Sequence, residues 1–275
     1  MADDLPSHTL LSADDRSPQS LVVFLHGILG QGLNWRSFAR RLVAERPAQG
    51  ALLVDLRAHG DSRHLPPPDT LEAAADDLTR LRATLEAPVT GIVGHSFGGK
   101  VALQWLARDP GDLTRCFVID SLPGARPDRR GSEGTVEVVE MLASLPDRFE
   151  SRDAFRDHVT GAGFSTPLAH WLAQSLDRLD DDGHRFGLDV ARIRALLEDY
   201  FATDLWPVID PPPEGLEAHL VIGGRSTVFS SEDRERATAL AARHPGVFCD
   251  VLDTDHWVHV EDPDGLFRLV AGGLS

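Results

Sequence analysis

Through the first half of the chain, short apolar runs alternate with longer stretches whose apolar positions recur every three or four residues. Residues 21–25 form the first run and end in His26-Gly27; Trp35, Phe38 and Leu42 then mark one face of a helix. A second run, 51–56, leads into a turn-rich stretch with Gly60 and the triplet Pro66-Pro67-Pro68. Asp69-Thr70 offers a cap for a helix with apolar positions Leu71, Ala74, Ala75, Leu78, Leu81 and Leu85. Runs at 89–93 and 115–119 flank a helix expected over 96–108. Short apolar strands separated by amphipathic helices predict an α/β protein, with a mostly parallel, doubly wound sheet covered on both faces.

The alternation lapses between Leu122 and Trp206. There Gly, Pro and charge interrupt patterns that read as helices: Val138-Val139-Met141-Leu142, Trp171-Leu172-Leu176 and Val190-Ile193-Leu196-Leu197. After Pro211-Pro212-Pro213 it resumes, with strands expected at 219–222 and 247–252 and helices at 231–243 and 263–270. Residues 1–121 and 207–275 therefore read as one core, and 122–206 as a helical excursion inserted into it.

Charge and composition narrow the function. Asp and Glu number 43 against 27 Lys and Arg, a formal net charge of −16, which argues against nucleic acid or an anionic membrane as partner. Lys100 is the only lysine, so lysine Schiff-base chemistry has one candidate. Cys116 and Cys249 are far apart and flanked by apolar residues, as reduced thiols in strands would be. No CxxC or HExxH announces a metal site. An acidic start (Asp3, Asp4) and the absence of a membrane-length apolar run predict a soluble, cytoplasmic protein.

The sharpest chemical signal is Gly94-His95-Ser96-Phe97-Gly98, between an expected strand and helix. A serine on such a turn projects at a helix N-terminus, where backbone N–H groups and the helix dipole favour developing negative charge. The same stretch also matches the GxxxxGK of a phosphate loop through Gly99-Lys100. However, Val101 stands where a magnesium-binding hydroxyl belongs, and Phe97 would fill the cradle. A serine nucleophile needs a base. His256, after one strand and before the last helix, lies in a loop at the C-terminal edge of the sheet. His259 reads as a packing residue. The backbone amides of Phe97 and, from the strand-end loop His26-Gly27-Ile28-Leu29-Gly30, of Ile28 are the candidate oxyanion donors.

The ordered set HGILG, DLRAHGDS (Asp55 to Ser62), GHSFGGK, VIDSLPG, IGGRS and DHWVH, spread from Leu21 to the C-terminus, resembles the α/β-hydrolase superfamily and, within it, the YbfF-type small esterases. The resemblance implies an α/β-hydrolase fold, Ser96 as nucleophile, His256 as base, and a helical cap (lid) over 122–206. It also implies a cofactor-free hydrolase acting on small-molecule esters or thioesters. Asp55, Arg57, His59 and Ser62 match a supporting loop.

In α/β hydrolases the acid commonly follows the penultimate strand. Here that strand leads into Gly223 to Val228 without a carboxylate before Glu232-Asp233, and Thr227 carries no charge to steady an imidazolium. Asp120, ending the strand after the nucleophile's helix, lies about one strand spacing of ~4.8 Å from the Ser96 strand. The resemblance implies the same displaced acid. The alternative is that Asp120 only caps a turn, while Asp253 or Asp255 orients His256. Phe149, Phe164, Trp171, Tyr200, Phe201 and Trp206, with Trp257 beside the base, are expected to line an apolar acyl site or to form core beneath the lid. A cofactor-free haloperoxidase or a C–C bond hydrolase would use the same three residues. A non-catalytic ligand receptor is less favoured, because both Ser96 and His256 are present.

Overall fold

The computed structural model describes residues 4–13, 17–180 and 182–274. Strand β1 (His8–Leu11) precedes β2 (Ser20–Leu25), helix α1 (Arg36–Glu45), β3 (Gln49–Val54), α2 (Leu71–Arg82), β4 (Val89–His95), α3 (Phe97–Arg108) and β5 (Arg115–Ile119). An inserted segment follows with α4 (Glu133–Ala143), α5 (Arg152–Gly161), α6 (Thr166–Leu172), the short hairpin β6 (Leu176–Arg178) and β7 (His184–Phe186), and α7 (Val190–Ala202). The chain then returns to the sheet with β8 (Glu217–Gly223), α8 (Ser231–Arg243), β9 (Val247–Leu252), α9 (Val258–Glu261) and α10 (Pro263–Gly273).

The seven-stranded sheet has the order β1-β3-β2-β4-β5-β8-β9; only β1 is antiparallel to its neighbour. Val22 to Leu25 and Ala51 to Val54 are buried at every position, as strands covered on both faces require. One face packs Trp35, Leu42 and Val43 of the α1 region with Leu266, Phe267 and Val270 of α10. The other packs α2, α3 and α8, and its apolar cluster continues into the inserted segment through Phe155, Leu172, Ile193 and Leu196. Each such fully buried side chain contributes about 1.5–3 kcal/mol.

Four features depart from the periodicity. Strand β1 has exposed positions in an edge strand, so no buried apolar run announces it. Strand β3 begins and ends two residues before the expected 51–56. The helix expected across Trp171-Leu172-Leu176 stops at Leu172; Leu176 instead opens β6, pairing with Phe186. Helix α5 escaped the reading because only Phe155 and Val159 of its ten residues are buried. Cys116 and Cys249 lie in β5 and β9 as free thiols. No helix among the described residues is long and apolar enough to cross a membrane.

Lys100 fastens the segment between β5 and β8 to α3. Its Nζ, fully buried on α3, donates to the carbonyls of Gly124 (2.8 Å), Tyr200 (2.6 Å) and Thr203 (2.8 Å), at the two ends of the insertion. Burial, with the Arg126 guanidinium nearby, lowers its pKa from 10.5 to about 7, against the opposing pull of Asp204 and Asp199. With its charge turned inward, Lys100 cannot serve as the lysine of a phosphate loop. Lys100→Met should lower unfolding free energy by about 1–3 kcal/mol, because the carbonyls lose their donor. Urea denaturation checks this; an unchanged midpoint would mean that the contacts hold nothing.

Candidate active site

The turn after β4 is built around a strained serine. Ser96 adopts φ 52° and ψ −119°, a left-handed φ that costs a non-glycine residue about 1–3 kcal/mol. Close packing holds it: a Cβ on Gly98 would stand 2.6 Å from the His26 carbonyl oxygen, and one on Gly99 2.6 Å from the Ser121 Cβ. Only glycine fits at either place. The half-buried Ser96 hydroxyl sits at the N-terminus of α3 without a hydrogen bond to the helix it precedes.

Asp120 and His256 meet across the sheet edge. Asp120, fully buried with φ 41°, accepts from His256 Nδ1–H at 2.7 Å and from the Ser226 hydroxyl at 2.5 Å through Oδ2, and from the Gly223 amide at 3.0 Å through Oδ1. His256 therefore presents Nε2 to the cavity that it lines together with Ser96. The other two acids considered for this role lie elsewhere. Asp253 pairs with Arg225 at 2.5 Å, and Asp255 accepts the backbone N–H of His256 at 2.7 Å. A further histidine fixes the loop: His95 Nε2–H donates to the His256 carbonyl at 2.9 Å. Burial, with His259 and His256 as neighbours, holds His95 well below the ordinary histidine value and so neutral.

Two more buried histidines support the loop after β2. His26 donates Nδ1–H to the Gly27 carbonyl (2.8 Å) and accepts from the Leu56 amide at Nε2 (3.0 Å). His59 donates to the Arg57 carbonyl (2.9 Å) and accepts from the Leu29 amide (3.0 Å). The Leu29 amide is thus engaged by His59, while Ile28 and Phe97, the two residues whose amides are the expected oxyanion donors, both line the cavity. The rest of the DLRAHGDS stretch is bonded into the scaffold. Asp55 accepts from Gly32 and Asp61 amides, Arg57 pairs with buried Asp77 at 2.8 Å, and the Ser62 hydroxyl donates to the Asp55 carbonyl.

The cavity measures about 460 Å³, a size suited to a small molecule. Phe164, Trp171, Tyr200, Phe201 and Trp257 line it. Phe149 and Trp206 do not reach it: Phe149 packs edge-on against Phe155 and His158, and buried Trp206 lies beside Gly124 under the Arg236 guanidinium. Their apolar surface is spent on core packing instead. His95, Ser226 and Leu168 are contributors that periodicity did not single out, and Leu197 was read only as a helix position. His95 and Ser226 stood inside motifs noticed for other residues, and neither has a spacing that foretells its partner. Among the described residues no three His, Cys, Asp or Glu side chains are grouped to hold a metal ion.

The model of the alpha/beta hydrolase family matches residues 22–269. The chain belongs to this family. It is 28% identical over 256 residues to the sn-1-specific diacylglycerol lipase ABHD11 of Danio rerio, covering 91% of this chain and 77% of that protein. It is 27% identical over 266 residues to the esterase YbfF of Escherichia coli strain K12, covering 96% of each. Among solved structures, a marine microorganism esterase superposes with a TM-score of 0.81 at 22% identity, over 98% of this chain and 99% of that one. The fold is thus the α/β-hydrolase fold, and the chain is counted with the carboxylesterase-type hydrolases.

Burial lowers His26 from 6.5 to about 4 and His59, with His26 as an added cationic neighbour, to about 3. As pH falls below 6.5 the unfolded chain takes up protons that the folded chain refuses. The stability these groups carry is therefore complete above about 6.5 and is lost as pH falls toward 4 and then 3. In His59→Gln the amide oxygen replaces the Nε2 acceptor without titrating, so the decline of Tm between pH 6.5 and 4 should flatten. Melting curves by circular dichroism with the wild-type slope would exclude His59 from that loss.

Proposed function

We propose that the protein is a serine hydrolase that cleaves small-molecule carboxylic esters or thioesters through an acyl-enzyme formed on Ser96. The observation that carries this reading is the 2.7 Å contact of His256 Nδ1 with buried Asp120, made where His256 and the strained Ser96 share one cavity. Asp120 fixes the imidazole tautomer and steadies its charged form, so Nε2 can take the Ser96 proton as Oγ attacks the carbonyl carbon. The negative charge on the carbonyl oxygen is received by the amides of Ile28, in the loop after β2, and of Phe97, at the N-terminus of α3. Collapse of the tetrahedral adduct expels the alcohol or thiol, which takes the proton from His256; water then enters by the reverse sequence.

Two substitutions test the assignment. Ser96→Ala should fold normally and lose about 10⁶-fold in kcat on a short p-nitrophenyl ester. A variant keeping a tenth of wild-type kcat would require another nucleophile. Asp120→Asn should cost about 10⁴-fold, because an amide favours the wrong imidazole tautomer. Near wild-type activity there, with Asp255→Asn inactive, would move the acid. A fluorophosphonate probe should label wild-type protein at Ser96 only.

A further inference from the structure

A column of uncharged rings runs from the core to the His256 imidazole. The His256 ring packs against His95, with centroids 4.8 Å apart and planes tilted by 39°. His95 meets His259 edge to face at 4.6 Å, and His259 meets the indole of Trp35 at 5.0 Å. Trp35 is buried and donates from Nε1 to the Leu25 carbonyl at 3.1 Å, so the far end of the column is fixed in the sheet. His95, only 2% exposed, also donates from Nε2 to the His256 carbonyl at 2.9 Å.

We propose that His95 is a positioning residue for the base: its hydrogen bond to the His256 carbonyl holds the imidazole in the orientation that serves both Asp120 and Ser96, a part that rests on the serine-hydrolase reading of those three residues. His95 ends β4 and is joined directly to Ser96, while its ring reaches a loop 161 residues further along the chain. One side chain therefore links the strand that carries the nucleophile to the loop that carries the base. Asp120 grips the same imidazole at Nδ1, which leaves the ring free to swing about that atom. The bond from His95 fixes the backbone from which the ring swings, so the two contacts restrain different motions. Asp255 holds the His256 amide at 2.7 Å, but it belongs to the same loop and moves with it.

The position calls for an N–H donor at the tip of a flat side chain that carries no charge. With Nε2–H committed to the carbonyl, Nδ1 of the neutral ring is unprotonated. That edge is packed on the loop after β2, where a Cβ on Gly27 would stand 3.1 Å from Nδ1. Burial, with His259 and His256 as neighbours, keeps His95 neutral, and burial lowers His259 to about 4. Neutrality matters here, because a cation at this distance would repel the imidazolium that forms as His256 takes the Ser96 proton. Phenylalanine would supply the ring without the donor, and glutamine the donor without the ring.

The test separates position from folding by counting active sites. Each variant is labelled to completion with a fluorophosphonate, and kcat on p-nitrophenyl butanoate is expressed per labelled serine. His95→Phe should lose about 100-fold in kcat, as a base displaced by about 1 Å would. Its KM should stay within about threefold, because the ring keeps its place in the cavity wall. His95→Gln, whose amide nitrogen can stand where Nε2 stood, should recover kcat to within about fivefold of wild type. In the proton spectrum, the downfield line of the His256 Nδ1–H bonded to Asp120 should broaden in His95→Phe and persist in His95→Gln. A role in folding alone would lower yield or Tm but leave kcat per labelled serine and that proton line as in wild type; this outcome for His95→Phe overturns the proposal. Equal losses in the two variants would overturn it as well, since the hydrogen bond would then hold nothing. Should His95→Phe fail to fold, His95→Asn, whose amide is too short to reach the carbonyl, takes its place with the same expected loss. Wild-type protein that left Ser96 unlabelled would overturn the hydrolase reading itself, an outcome distinct from labelled variants with unimpaired kcat.

Discussion

The carboxylate of Asp120 is fully buried, and a buried charge without partners is costly enough that the surrounding chain must be arranged to satisfy it. The Gly223 amide, the Ser226 hydroxyl and the His256 ring supply three hydrogen bonds from two loops. These groups stand at or just beyond the ends of β8 and β9, so one side chain directly after β5 ties together the C-terminal ends of three neighbouring strands. The left-handed φ of Asp120 is part of the same arrangement: it turns the chain out of the sheet toward the inserted segment while the side chain stays in.

Neutral histidines do comparable work on the opposite side of Ser96. His26 and His59 each present one donor and one acceptor in a fixed tautomer, which lets each join backbone groups from separate loops without introducing a charge. Their depressed pKa values follow from burial, and the bonds they make depend on neutrality, since Nε2 accepts only when unprotonated. His95 adds the link between the Ser96 turn and the His256 carbonyl. The site thus combines a buried carboxylate on His256 with buried uncharged rings in the surrounding loops.

The inserted segment joins the core by both packing and a buried cation. Its apolar cluster is continuous with that of α2, α3 and α8, and Lys100 holds both of its ends. The aromatic side chains it contributes divide accordingly. Phe164, Trp171, Tyr200 and Phe201 reach the cavity, whereas Phe149 and Trp206 complete the packing that keeps the others in place.

The sequence by itself determined the six parallel strands of the doubly wound sheet, to within about two residues, and placed Ser96, Asp120 and His256 at their ends. Apolar periodicity records burial residue by residue, and strand-to-helix turns leave local marks such as Gly94-His95-Ser96-Phe97-Gly98. The sequence favoured Asp120 as the acid over Asp253 or Asp255, but could not show the contact, because all three stand near strand ends on one sheet edge. Only the fold decided which carboxylate faces the His256 ring. The same holds for Ser226 on Asp120, His59 on Leu29 and Lys100 on Gly124, contacts whose partners are separated by 106, 30 and 24 residues. The edge strand β1 and helix α5 were illegible because their pattern carries too few buried positions to stand out. Which aromatics line a cavity and which fill the core is likewise absent from the sequence, since both roles demand the same apolar side chains. The difference lies in where neighbouring elements leave space.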